Sequence, residues 1–142
     1  MKAINLYLFL IFSAAMLFAV SCEDIDNPDD TGDPRDKMTG TWQFIENSVK
    51  STRSLSYVVT ITKDPDNSSQ VILKNFGNPG TSDIQSVGIT TSSQIVVTEQ
   101  TLSNGWVVEG SGKLDGTETM NWTYSIIVGG DLEQYTAVAT KL

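Results

Sequence analysis

Thr119-Met120-Asn121-Trp122-Thr123-Tyr124-Ser125-Ile126-Ile127-Val128 decides the fold. Its large apolar side chains Met120, Trp122, Tyr124, Ile126 and Val128 recur at every second position, with Thr119, Asn121, Thr123 and Ser125 between them. A period of two belongs to an extended strand with one face in a core and the other in water. The same alternation governs an earlier segment, where Leu55, Tyr57, Val59 and Ile61 oppose Ser56, Thr60 and Thr62. Immediately upstream of the decisive stretch, Trp106, Val108 and Leu114 share the apolar face with Gly110 and Gly112. Glycines on an inward face let a strand coil sharply, or let another backbone or a ligand come close.

Working outward, the alternation predicts strands over 40–47, 55–62, 70–76, 84–90, 94–102, 105–114, 118–128 and 132–141. The intervening segments carry turn chemistry. Asn104-Gly105 and Asp115-Gly116 are the dipeptides of two-residue hairpins, whose central positions both need positive φ. Gly129-Gly130-Asp131 serves the last hairpin, while Asp64-Pro65-Asp66-Asn67 and Gly77-Asn78-Pro79-Gly80 form longer turns. No connection is long enough for a crossover helix, so parallel βαβ units are excluded. The fold class is therefore all-β, an eight-stranded antiparallel up-and-down meander. Such a meander hides its edges best by pairing the first strand with the eighth into a small barrel. A two-sheet sandwich is the competing arrangement.

Gly40-Thr41-Trp42 opens the first strand as the Gly-x-Trp motif opens lipocalins. Together with Val71-Ile72-Leu73-Lys74-Asn75-Phe76, Gly110-Ser111-Gly112-Lys113-Leu114-Asp115-Gly116 and Trp122-Thr123-Tyr124, it resembles the small lipocalin-like, calycin-type domains of Bacteroidetes lipoproteins. The resemblance covers most of residues 40–142. It implies a basic side chain from the last strand packed over Trp42, for which Lys141 is the candidate. The chain is shorter than ordinary lipocalins and lacks their C-terminal helix, which argues against a large ligand cavity.

The amino-terminal part is a different polymer. Residues 4–20 are almost entirely apolar behind a single cation, Lys2, and end at the small residues Ala19 and Ser21 before Cys22. This is the layout of a secretory signal. Ala19-Val20-Ser21-Cys22 resembles the lipobox of bacterial lipoproteins, departing from it in having Ala19 where Leu is usual. The resemblance implies cleavage before Cys22, acylation of that residue and attachment to a membrane. Cys22 is the only cysteine, so an intramolecular disulfide is impossible. Acylation accounts for the thiol better than an ordinary signal peptide followed by a free cysteine.

Seven acids then fall within residues 23–36, with Pro28, Pro34 and Gly32. Such a run cannot bury a core and reads as a solvated, self-repelling spacer. The resulting organisation is a signal peptide over 1–21, an acidic flexible tether over 22–38 and a barrel domain over 39–142. Acid directly after the lipid cysteine also resembles the export signal of surface lipoproteins. In the Bacteroidetes it implies an outer-membrane, outward-facing protein, whereas in enteric bacteria acid near that position implies retention at the inner membrane, so leaflet and face depend on the host.

The search for chemistry narrows function by exclusion. The chain has no histidine, which removes Ser-His-Asp and Cys-His mechanisms and most zinc sites. Gly110-Ser111-Gly112 lacks the helix start of a phosphate loop. Asp64-Pro65-Asp66-Asn67-Ser68 lacks the glycine and terminal glutamate of a calcium loop. The scattered acids read as solvated rather than catalytic. The net charge is −8 with no basic cluster, which excludes nucleic acid as a partner. The expectation is a non-enzymatic binding or interaction module without cofactor or metal. Its partners are the membrane through the lipid, and a small apolar ligand, a glycan or an envelope protein. Candidate ligand-binding residues are Tyr57, Asn75, Trp106, Gly110, Trp122 and Tyr124, with Cys22 as the lipid attachment site. Asn75 follows the inward phase of Val71 and Leu73, or else ties down a neighbouring loop. The aromatic residues line a pocket or fill a core, because eight-stranded barrels are just wide enough for side chains to fill.

Overall fold

A computed structural model describes residues 32–50 and 54–142. The expected signal peptide, the expected lipid attachment at Cys22 and the expected tether up to residue 31 lie outside the described residues. Eight strands follow one another: β1 (Gly40–Ser48), β2 (Ser54–Lys63), β3 (Gln70–Lys74), β4 (Gln85–Thr90), β5 (Gln94–Thr101), β6 (Val107–Asp115), β7 (Thr119–Val128) and β8 (Asp131–Lys141). Each pairs antiparallel with its neighbours in sequence, and β1 closes the sheet against β8. Seven residue pairs make that closure, from Trp42 opposite Lys141 to Ser48 opposite Tyr135. The expected up-and-down barrel is the observed one, and the sandwich is excluded.

Alternation delivers the core. Trp42, Phe44, Tyr57, Val59, Ile61, Val71, Leu73, Ile95, Val97, Val108, Met120, Trp122, Tyr124 and Ile126 all point inward and are buried. Lys141 from the last strand places its Nζ 5.5 Å from the centre of the Trp42 ring, and the Trp42 indole N–H donates to the Met38 carbonyl at 2.9 Å. The pairing is thinnest between β4 and β5, where the ladder shows two residue pairs. A bulge in β5 between Val97 and Gln100 interrupts its register with β6. The Gln100 side-chain amide then takes the place of a main-chain partner on β4. It accepts from the Val87 N–H and donates to the Val87 carbonyl, both at 2.8 Å.

Three expectations are corrected. The domain begins before residue 39, because residues 33–38 pack with the barrel instead of extending the tether. Met38 is fully buried, and a short 3₁₀ helix, Pro34–Lys37, carries the buried Arg35. Arg35 Nη1 donates to the carbonyls of Asp64, Asn67 and Gln70, while Asp33 accepts from its Nε and Nη2. Lys63 also bridges Asp33 and Asp36, so these two acids are neutralised rather than mutually repelling. Arg35 also holds the Asp33 carboxyl well below the usual carboxylate range.

The second correction concerns β3. It ends at Lys74, because Asn75 turns the chain with φ of 66° and leaves the strand's inward phase.

The third concerns turn type. At Asn104-Gly105 only the glycine has positive φ, 86°. Gly105 N–H donates to Leu102 and Leu102 N–H to Trp106, which makes a three-residue loop with glycine at its bulge. The two-residue turn with both φ positive occurs at Gly129-Gly130, at 62° and 94°. A β-branched residue at Gly105 would meet no atoms within 4 Å but would be held at that φ. Gly105→Val is therefore expected to cost about 1–3 kcal/mol through the backbone alone. Gly32→Val, at a position with ordinary φ and open space, should leave urea unfolding unchanged. Equal midpoints for the two variants would contradict the turn assignment.

Candidate functional site

The structure brings Tyr57, Trp122 and Tyr124 into one interior, as alternation required, and fills the space beside them. Tyr57 and Tyr124 meet through their hydroxyls at 2.9 Å. Phe76 packs against Trp122 and Tyr124, each at 5.0 Å between ring centres, and Phe44 lies 5.6 Å from Trp122 and 5.5 Å from Tyr57. Gly112 sits under the Trp122 ring, where an added Cβ would come within 2.2 Å of the indole. A Cβ on Gly110 would fall 2.3 Å from that of Tyr124. The two inward glycines thus make room for the aromatic side chains of the next strand.

The remaining candidates lie elsewhere. Trp106 precedes β6, half-buried against the edge of the core. Asn75 does not enter the interior; its Nδ2 donates to the Val58 carbonyl at 2.8 Å and ties the β3–β4 loop to β2. That anchorage lets the next residue, Phe76, turn into the barrel end and close it. Asn104 Nδ2 fastens the same loop through the Pro79 carbonyl at 3.3 Å.

One interior residue escaped the sequence reading. Glu46 is only 7% exposed and continues the inward phase of Trp42 and Phe44 on β1. Tyr57 donates to its Oε2 at 3.2 Å and Tyr124 donates to the same oxygen. Beside them Tyr135 stacks on Tyr124 at 5.4 Å and donates to Glu133. A carboxylate in an aromatic interior survives only because such donors satisfy it. Burial, with the nearby Glu133 charge in the same direction, raises the Glu46 carboxyl above its ordinary pKa against the effect of both hydroxyls. Burial likewise raises the Tyr57 and Tyr124 hydroxyls, so they stay protonated as donors. The alternation Trp42, Phe44, Glu46 was the signal that would have found this acid.

The concave surface lies on the outside. An open groove of about 740 Å³ runs over the outer faces of β5 to β8, with Gly110, Val97 and Tyr124 contributing to its lining. Cross-strand register sets its polar side chains in two rows, Ser111–Thr123–Thr136 and Glu109–Ser125–Gln134. Ser125 Oγ donates to Glu109 Oε1 at 3.0 Å and orients that carboxylate.

No protein family matches the chain by sequence, and no curated protein matches it. Solved structures match by fold. A redesigned β barrel is similar with a TM-score of 0.58 and 12% identity over 79% of this chain and 97% of that one. EF1p2_mFAP2b bound to DFHBI gives 0.52 and 13% identity over 78% of this chain and 100% of that one. A de novo designed fluorescence-activating β barrel gives 0.50 and 16% identity over 78% and 99% of the two chains. At these identities the likeness concerns the closed eight-stranded barrel alone. The interior acid yields a pH test. A folded-state carboxyl pKa above the unfolded one stabilises fully below the unfolded value, and that contribution is lost as pH rises through the folded value. Glu46→Gln retains a carbonyl oxygen for both tyrosines and removes the titration. Urea midpoints of the wild type should therefore fall more than those of the variant as pH rises from the acid side to neutrality. Parallel profiles would contradict the upward shift that burial gives the Glu46 carboxyl.

Proposed function

We propose that the chain is a lipid-anchored lipoprotein of the bacterial cell envelope, exposed at the outer membrane, whose barrel is a non-enzymatic interaction module. The observation that carries the module reading is the contrast between a filled interior and an open groove outside. Phe44 and Trp122 fill the barrel's interior and Phe76 closes over them, all almost fully buried, while the groove over β5–β8 is lined by side chains free to meet a partner. The anchor reading is supported by Ala19-Val20-Ser21-Cys22 behind the apolar run, and by the acid that follows it. Lys141 over the Trp42 of Gly40-Thr41-Trp42 supports kinship with lipocalin-like domains of Bacteroidetes lipoproteins. The residues available support no catalytic role: there is no histidine, and Glu46, the buried acid, is held by two tyrosines.

A second reading is a carrier of a small apolar ligand within the barrel. Its support is that a protein of the same fold has been solved bound to DFHBI. Against it, the positions that would open such a space here, Gly110 and Gly112, lie against Tyr124 and Trp122.

The anchor is tested in a bacterial host fed labelled fatty acid. Wild-type protein should incorporate label and sediment with membranes, and Cys22→Ala should lose both. Protease added to intact cells should remove the barrel from wild-type cells. Undiminished labelling of Cys22→Ala would overturn the anchor, and protection from protease would overturn the outward face.

A further inference from the structure

We infer that the groove over β5–β8 is a binding site for a neutral, linear oligosaccharide lying across the strands. This rests on the interaction-module reading and names the chemistry of its ligand. The antiparallel register places Ser111, Thr123 and Thr136 directly opposite one another on three adjacent strands. It does the same for Glu109, Ser125 and Gln134 two residues further along. The groove therefore presents four hydroxyls, a carboxylate and an amide in a two-row grid. Every member faces outward on a rigid sheet rather than on a loop. Adjacent strands are about 4.8 Å apart, close to the length of one pyranose ring along an extended glycan. Successive sugars crossing the strands would each meet one rung of each row.

The polarity selects the ligand. Hydroxyl and amide groups both donate to and accept from vicinal sugar hydroxyls, and a carboxylate accepts from them. The Ser125 bond to Glu109 holds that carboxylate in place before a ligand arrives. Among the described residues no lysine or arginine lines the groove, whereas Glu99 and Glu109 do, so polyanionic glycans and phosphates are disfavoured there. The apolar contributions with exposed surface are Val49, Val96 and Tyr135, which suit the C–H faces of sugar rings. A protein partner would instead seek an apolar centre with aromatic or arginine anchors. Neither row supplies one.

The full chain, isotope-labelled and held in detergent, would be titrated with cellohexaose and N-acetylated chitohexaose, and with a heparin hexasaccharide as the polyanionic control. At least one neutral hexasaccharide should shift the amides of Ser111, Thr123, Ser125 and Thr136 in a saturable way, while heparin should not. Glu109→Ala and the double change Thr123→Val with Thr136→Val should each weaken that binding at least tenfold. Ile45→Ser, on a surface outside the groove, should leave it unchanged. Absence of shifts with both neutral probes, shifts elsewhere on the barrel, or equal binding of heparin would overturn the inference. If photo-crosslinkers in the groove capture an envelope protein while both sugars fail to bind, the saccharide assignment falls and the interaction module stands. If the sugars bind inside the barrel, shifting Trp122 and Phe44 instead, both fall.

Discussion

The structure depends on the interlock between β6 and β7. Gly110 and Gly112 present no side chain to the interior, and Tyr124 and Trp122 from the facing positions of β7 occupy what those side chains would have filled. Small and large residues placed opposite each other let a narrow barrel close at interior density, because eight strands leave room for side chains and little else. From this pairing the aromatic stack extends to Phe76 and Phe44, and through Tyr57 to the other side of the sheet. With its centre occupied, the barrel offers its outer face and its loops.

The two ends of the barrel are closed by different means, both involving charge. At one end Arg35 is buried against three loop carbonyls and Asp33, and Met38 and Trp42 lie beneath. At the other, Phe76 enters between β3 and β4 while Glu46 is held by Tyr57 and Tyr124. A buried charge lacking one of its partners typically costs several kcal/mol, so these networks fix the ends more specifically than apolar packing would. The filling is not complete in its hydrogen bonds. Among the described residues, Ser86 Oγ and Trp122 Nε1 are buried without a hydrogen-bond partner.

All eight strands were legible because half-buried antiparallel strands write their faces into the sequence with a period of two. Where that signal misled, local backbone chemistry had overridden it. Asn75 and Phe76 prolong the apolar phase of β3, but Asn75 tolerates positive φ and turns the chain there. Asn104-Gly105 carries a two-residue hairpin signature, yet Leu102 and Trp106 close a three-residue loop around it. The residues before 39 read as spacer because their acids were weighed together. Arg35, one of two cations among them with Lys37, reaches carbonyls that no local pattern brings near. Of the interior site, Tyr57, Trp122 and Tyr124 were readable from alternation and Glu46 was readable but passed over. Whether Gly110 and Gly112 made room for a ligand or for a neighbouring ring was not readable, since an inward glycine looks the same in either case. The outer groove depends on register across four strands, which emerges only when the barrel is closed.

Urea unfolding of Gly110→Leu shows whether the space beside Gly110 is occupied. A filled barrel must overpack, because the first added carbon already meets Tyr124 and the Thr123 carbonyl. The account predicts a loss of about 1–3 kcal/mol. A variant as stable as the wild type, its leucine accommodated in the interior, would show the barrel to be hollow and would contradict the account.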